Sequence, residues 1–303
     1  MMPMPGHGML HGPGPEPTMR MSVPLLLLLI VGVSLAQEKP TQPAKDVRVE
    51  YGLAVYKLGE KHATDKQAGE AIDSFCKWLG DQVPGATFAR RGVRNQPADA
   101  LKLLQDEKST VALAIVSPSF YAAHKDTLKL KAIAEARRND FDGEQFTLVG
   151  KTATDAYPSG KKVATSMTAD LDWLNKVVMP APEGIKPVEW VQYDNLFDAA
   201  YAIIDGEKGA PDMLLLDRVT LDSFTREAEF KALKHGLKSE MLPQDLLVEL
   251  DGRLGDKSAA VVKAVGALDQ TETGKKLGET LQTPRMPAPD TARLEKALKK
   301  FKP

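Results

Sequence analysis

The chain has 303 residues, is 43% apolar and 27% charged, and carries a formal net charge of −1. That is globular composition with room for one large domain or two ordinary ones, and the near-zero charge gives no reason to expect a nucleic-acid partner. The only cysteine is Cys76, which excludes an internal disulfide, and five histidines leave little material for a histidine- or thiolate-rich metal site, so no metal or cofactor is expected.

In chain order, a segment rich in Pro, Gly and Met (residues 1–18) reads as an unstructured extension, with Met19 and Met21 as alternative starts. Arg20 then precedes the apolar block 25–33, and Ser34-Leu35-Ala36 follows it. The block is too short to span a bilayer, which takes ~20 residues as a helix. A basic flank, a short apolar core and a small-x-small exit predict a signal peptide cleaved after Ala36, with export to the periplasm. Residues 37–46 form a polar, proline-bearing linker.

From residue 47 strands and helices alternate. Residues 47–56 predict a strand ending at Tyr56. Thr64 or Asp65 caps a helix whose residues Ala68, Ala71, Ile72, Phe75, Cys76, Leu79 and Val83 share one face. Cys76 therefore reads as a small core hydrophobe rather than a reactive thiol. Strand 86–91 and a helix opened by Pro97 follow, and then the nearly continuous apolar run 110–116, as expected of a strand buried on both faces. Residues 119–123 begin a short helix. Residues 128–136, 146–151 and 162–165 predict strands, and Thr168 caps a helix through Leu171, Leu174 and Val178. Strand 188–193, a helix opened by Asn195, strand 212–216 ending at Asp217, and a helix to about 228 come next. Residues 230–241 read as extended, 258–281 as helical, and the basic tail 293–302 as a solvated terminal helix.

This alternation predicts an α/β fold with largely parallel sheets. Two lobes are expected: residues 47–138 with 229–303, and residues 139–228. The first boundary falls at the polar stretch 137–140, and the return crossing lies near 229–238.

In open α/β sheets ligands gather at the carboxyl ends of strands. The residues there are Tyr56; Ser117, Ser119 and Tyr121; Thr165, Ser166 and Thr168; Asn195; and Asp217. Three hydroxyls at one strand-to-helix step can coordinate an oxyanion, although capping alone needs only one of them. Asp217 can accept a proton-bearing ligand oxygen or cap the next helix, and Tyr121 beside Phe120 can serve a ligand or pack. Arg137 and Arg138 either face the cleft or end a strand in solvent. No nucleophile–base pair is recognisable, and Gly160-Lys161-Lys162 and Gly274-Lys275-Lys276 lack the glycine and hydroxyl of a phosphate loop. No catalytic residue is assigned, and no enzymatic activity is expected.

Five stretches together resemble the phosphate/phosphite/phosphonate-type substrate-binding proteins of ABC transporters. They are 75–79, 112–121 with its Ser-Pro-x-x-Tyr loop, 163–168, 195–217, and 268–278. The resemblance implies a two-lobed type II periplasmic-binding-protein-like fold with a ligand cleft between lobes. It also implies a monomer that closes on a small anion and delivers it to an ABC permease. By the same resemblance, Tyr121 would stack on or hydrogen-bond the ligand. Thr165, Ser166 and Thr168 would form the oxyanion loop, and Asp217 would take a ligand amine or hydroxyl. Ala169 departs from the glycine common after the hydroxyls, no histidine lies near Asp194-Asn195, and Met213-Leu214-Leu215-Leu216 replace smaller residues. The alternative is a repurposed two-lobed scaffold that acts as a secreted enzyme or a protein-binding module.

Overall fold

The computed structural model describes residues 49–56, 65–106, 108–138 and 141–302. The predicted extension, signal peptide and linker lie outside the described residues, as does the Thr64 cap. The side chains of Tyr56 and Thr168 lie outside them too.

The first half runs β1 (Val49–Tyr56), α1 (Asp65–Gln82), β2 (Ala86–Arg94), α2 (Pro97–Gln105), β3 (Val111–Val116), α3 (Pro118–His124) and β4 (Leu130–Ala136). Next come β5 (Thr147–Gly150), β6 (Lys162–Thr165), α4 (Leu171–Trp173), β7 (Glu189–Gln192), α5 (Leu196–Asp205), β8 (Met213–Leu216), α6 (Arg218–Arg226) and β9 (Lys234–Lys238). The chain finishes with β10 (Asp245–Leu250), α7 (Ser258–Gly266), α8 (Glu272–Thr280) and α9 (Thr291–Phe301).

Local chemistry explains most of these elements. In α1 the predicted apolar face is buried, with Ile72, Phe75, Cys76 and Leu79 inside and Asp73, Ser74 and Lys77 outside. Burial pushes the Cys76 thiol up to about 12, with the nearby Asp73 charge adding to it, so the thiol stays protonated and behaves as a hydrophobe. All six residues of β3 are buried, as its unbroken apolar run requires. Helix α5 begins at the Asn195 cap and stops at Gly206, whose φ of 69° supplies the left-handed turn that ends a helix.

Two five-stranded sheets result, in the orders β2-β1-β3-β10-β4 and β7-β6-β8-β5-β9. Both belong to one compact unit, Asp46–Pro303. They are mixed rather than largely parallel: β10 runs antiparallel to β3 and β4, and β5 runs antiparallel to β8 and β9. The reason is topological. Each sheet takes one strand from a chain segment entering from the other lobe, and that strand arrives in the opposite direction.

Strand β9 pairs with β5 in the second sheet, so the return crossing lies between Lys238 and Asp245, later than the predicted 229–238. The predicted extended segment from residue 230 begins as a 3-10 turn, Ala228–Ala232. The helix expected after Thr168 is broken into a 3-10 turn (Thr168–Asp170), α4 and a π turn (Leu174–Val178), and its first N-cap is Met167, without a side-chain bond. Strand β10 is absent from the sequence-based element order, yet it sits inside the first sheet, between β3 and β4. The terminal helix α9 is not solvated on all sides. Its Leu294 joins the core cluster of Leu128, Leu130 and Leu246, and its Ala297 joins that of Phe146, Trp173 and Leu174. The chain thus has the predicted α/β, two-lobed, type II periplasmic-binding-protein-like architecture.

Candidate functional site

Strand register decides which residues share an edge. In the first sheet Leu246 pairs with Val116 and Asp245 with Ala136. The end of β3 with Ser117, the start of β10 and the end of β4 therefore share one edge, where the parallel neighbour β1 also ends, at Tyr56. In the second sheet Thr165 pairs with Gln192, and Leu216 pairs with Thr147. Thr165-Ser166, Tyr193-Asn195, Asp217 and the approach to β5 at Glu144 share the corresponding edge. Both crossings between the sheets leave from these edges. They pair with each other through Glu144 and Leu242, whose backbone N–H groups and carbonyls exchange hydrogen bonds at 2.8 and 2.7 Å.

The predicted residues are placed as follows. Ser117 caps α3, its Oγ accepting from the Phe120 N–H at 3.2 Å, and it lies 2.7 Å from the Ser119 Oγ. The Oγ1 of Thr165, which is 1% exposed, accepts from the Met167 N–H at 3.2 Å. Ser166 is half-buried. Asn195 caps α5 by accepting from the Phe197 N–H at 3.1 Å, and Asp217 caps α6 by accepting from the Thr220 N–H at 2.7 Å. Tyr121 is buried in the first-lobe core cluster with Phe120, Val116 and Leu128. The packing role is the one its surroundings show.

Three carboxylates that the sequence reading did not single out dominate the edges. Glu144 accepts from the backbone N–H groups of Gln145 at 2.9 Å and Arg218 at 3.0 Å. Burial, with the Asp217 charge second, pushes its carboxyl up to about 7 against those N–H groups and the Arg138 charge. Asp170, on the second lobe, has a buried Oδ2 with no hydrogen-bond partner. Burial raises its carboxyl above the ordinary value, and the Ser119 hydroxyl opposes the rise. Glu135, fully buried at the end of β4, accepts from the Gln244 N–H at 2.9 Å and faces Arg137 at 3.6 Å and Arg293 at 3.7 Å. The sequence signal for Glu135 is a charge within an apolar strand. For Glu144 and Asp170 no local pattern exists.

Arg137 and Arg138 are not a solvated strand end. Arg137 pairs with Asp142 at 2.7 Å, and Arg138 with Asp245 at 3.3 Å. The Arg218 guanidinium stacks over the Phe141 ring, 4.0 Å from its centroid. These contacts tie the first crossing to both lobes. Among the described residues no group of three or more His, Cys, Asp or Glu could hold a metal ion. A cavity of about 160 Å³ lies in the second lobe between Val149, Phe224, Phe230 and His235, and none of the nine predicted residues lines it.

No family model matches the chain, and no curated protein matches it in sequence. Solved structures do match. A Xanthomonas citri protein with bound chloride has a TM-score of 0.63 at 8% identity, over 83% of this chain and 97% of that one. PhnD1 of Prochlorococcus marinus, in complex with methylphosphonate, has a TM-score of 0.57 at 10% identity, over 83% and 98%. A binding-protein component of an ABC phosphonate transporter from Pseudomonas aeruginosa has a TM-score of 0.55 at 13% identity, over 84% and 88%. The chain has the two-lobed fold of these binding proteins. At such identities the fold is what is shared, and ligand contacts must be argued from this chain's own residues.

Proposed function

We propose that this protein is an exported, monomeric solute-binding protein that captures a small oxyanion of the phosphonate, phosphite or phosphate class by hinge closure and delivers it to an ABC permease. The observation that carries this reading is the apposition of the two carboxyl edges. The two crossings leave from those edges and pair with each other through Glu144 and Leu242, and Ala122 of α3 packs in the core cluster of Trp173 and Leu174. Ser117 and Ser119 follow a strand of the first sheet, Thr165 and Ser166 end one of the second, and hydroxyls coordinate oxyanions without needing a cation. In this reading Ser117, Ser119, Thr165, Ser166 and Thr168 contact the oxyanion, Tyr56 and Asn195 line the cleft, and Asp217 accepts from a protonated ligand oxygen. Tyr121 supports α3 from the core side. The predicted cleavage after Ala36 places the mature protein in the periplasm.

The test is a thermal-shift screen of residues 37–303 against phosphate, phosphite, methylphosphonate, sulfate and small carboxylates. A ligand at 100 times its dissociation constant adds ~2.7 kcal/mol of stability. One phosphorus anion should raise the melting temperature, and Ser119→Ala or Thr165→Ala should shrink that rise. A flat screen overturns the reading.

One observation favours a second reading, a scaffold repurposed to bind another protein. The polar atoms of Ser117, Thr165, Asn195 and Asp217 already serve backbone N–H groups of their own lobes. A flat anion screen together with a saturable protein partner would establish it.

A further inference from the structure

Helix α9 is held by the first lobe and packed on by the second. The segment before it runs beside the end of β4, where the Arg137 N–H donates to the Arg285 carbonyl at 3.1 Å and the Glu135 N–H to that of Pro287 at 2.8 Å. Leu294 is buried among Leu128, Leu130 and Leu246, Arg293 stands 3.7 Å from Glu135, and Lys302 pairs with Asp126 at 3.2 Å. Both crossings are tied to the same helix. Arg293 donates to the Asp142 carbonyl, and Lys296 and Lys300 reach Glu240 at 2.9 and 2.8 Å.

Contact with the second lobe is of another kind. Ala297 is buried in the cluster of Phe146, Trp173 and Leu174, and Leu298 packs against the clusters of both lobes. The Phe301 ring lies 5.8 Å from that of Trp173, with the Lys176 ammonium 5.5 Å from its centroid. Trp173 and Lys176 belong to the broken helix that follows the Thr165-Ser166 step, and its π turn is fixed within the second lobe, because Asn175 accepts from the Trp190 Nε1 of β7 at 2.8 Å. Hydrogen bonds and ion pairs hold a position, whereas apolar packing is non-directional and lets one surface slide on another.

We propose that α9 is a strap: it is fixed to the first lobe and the crossings, and its last turn is the seat of the second lobe. The Phe301–Trp173 contact then sets the angle between the lobes together with the two crossings, and it steadies the Thr165-Ser166 step through the broken helix. The effect on ligand affinity rests on the oxyanion reading above; the strap does not.

The test uses residues 37–303 with spin labels at Lys102→Cys and Lys208→Cys, one exposed site on each lobe. Cys76 is buried and stays unlabelled. In ligand-free protein, Phe301→Ala should shift and broaden the distance distribution and quicken amide exchange over residues 171–178 about tenfold. Phe301→Leu should restore most of both. Val261→Ala destabilises the other first-lobe core cluster and should change neither. Methylphosphonate should bind Phe301→Ala about fivefold more weakly than the parent, because the hydroxyl step is no longer held ready. An unchanged distribution in Phe301→Ala, or an equal change in Val261→Ala, overturns the strap whatever the anion does. A shifted distribution with no phosphorus anion bound by any variant, the parent included, upholds the strap and overturns the oxyanion reading instead.

Discussion

Glu144 lies on the first crossing between the lobes, and its Oε1 accepts the backbone N–H of Arg218 at 3.0 Å, so the crossing is bonded to the start of α6. That one bond places a carboxylate from the hinge beside Asp217. It also explains why its proton is held tightly: burial and a like charge outweigh the two N–H donors.

The sign of the resulting pH dependence follows from linkage. The Glu144 carboxyl rises from an ordinary 4.5 to about 7 on folding, so between those values the folded chain binds the extra proton. Stability contributed by this group is present below about 4.5, falls as pH rises to about 7, and is level above. Glu144→Gln keeps an oxygen for both N–H donors and removes the charge. At pH 8 it should be more stable than the parent by ~1–2 kcal/mol, and at pH 4 equal to it. Denaturant melts at the two pH values check this; a gain of the same size at both would refute it.

Asp217 acts on Glu144 and caps α6 at once, and two substitutions separate the roles. Asp217→Asn retains a capping oxygen and should lower the Glu144 titration with little loss of stability. Asp217→Ala should lower it equally and also cost about 1 kcal/mol for the lost cap. Carboxyl-carbon NMR titration reads the first effect and urea melts the second.

Glu135 is buried against Arg137 and Arg293 and accepts the Gln244 N–H. Glu135→Ala leaves two half-buried guanidinium groups short of a counter-charge and should cost about 3 kcal/mol in a urea melt. Asp142 and Asp290, which pair with the same arginines, keep the loss from being larger.

Helix α9 gives a contrast between two descriptions of one segment. A solvated terminal helix would tolerate Leu294→Ala within about 0.5 kcal/mol. The buried Leu294 seen here should cost about 2–4 kcal/mol instead. Phe301→Ala should loosen the second lobe, because the ring packs 5.8 Å from Trp173. Thermal melts of both variants decide between the descriptions.

Tyr121 offers a test of core against cleft. Tyr121→Phe should leave stability and anion affinity unchanged, since the ring is what packs. Tyr121→Ala should cost about 3 kcal/mol of stability. A loss of anion affinity in Tyr121→Phe, at unchanged stability, would return the hydroxyl to the ligand.

Sequence by itself determined the features set by near neighbours: the α1 face that buries Cys76, the buried run of β3, the Asn195 and Asp217 caps, and the strand–helix alternation that implies two α/β lobes. These follow from periodicity and capping, which act within a few residues. Only the tertiary structure decided the rest. Strand β10 is an apolar run whose place between β3 and β4 depends on a partner more than a hundred residues away, and the same crossing makes the sheets mixed. The roles of Glu135, Glu144 and Asp170 were out of reach for the same reason. A carboxylate's burial and partners are set by what another segment brings to it, and Glu144 meets the Arg218 N–H only because the crossing between the lobes lies against the start of α6.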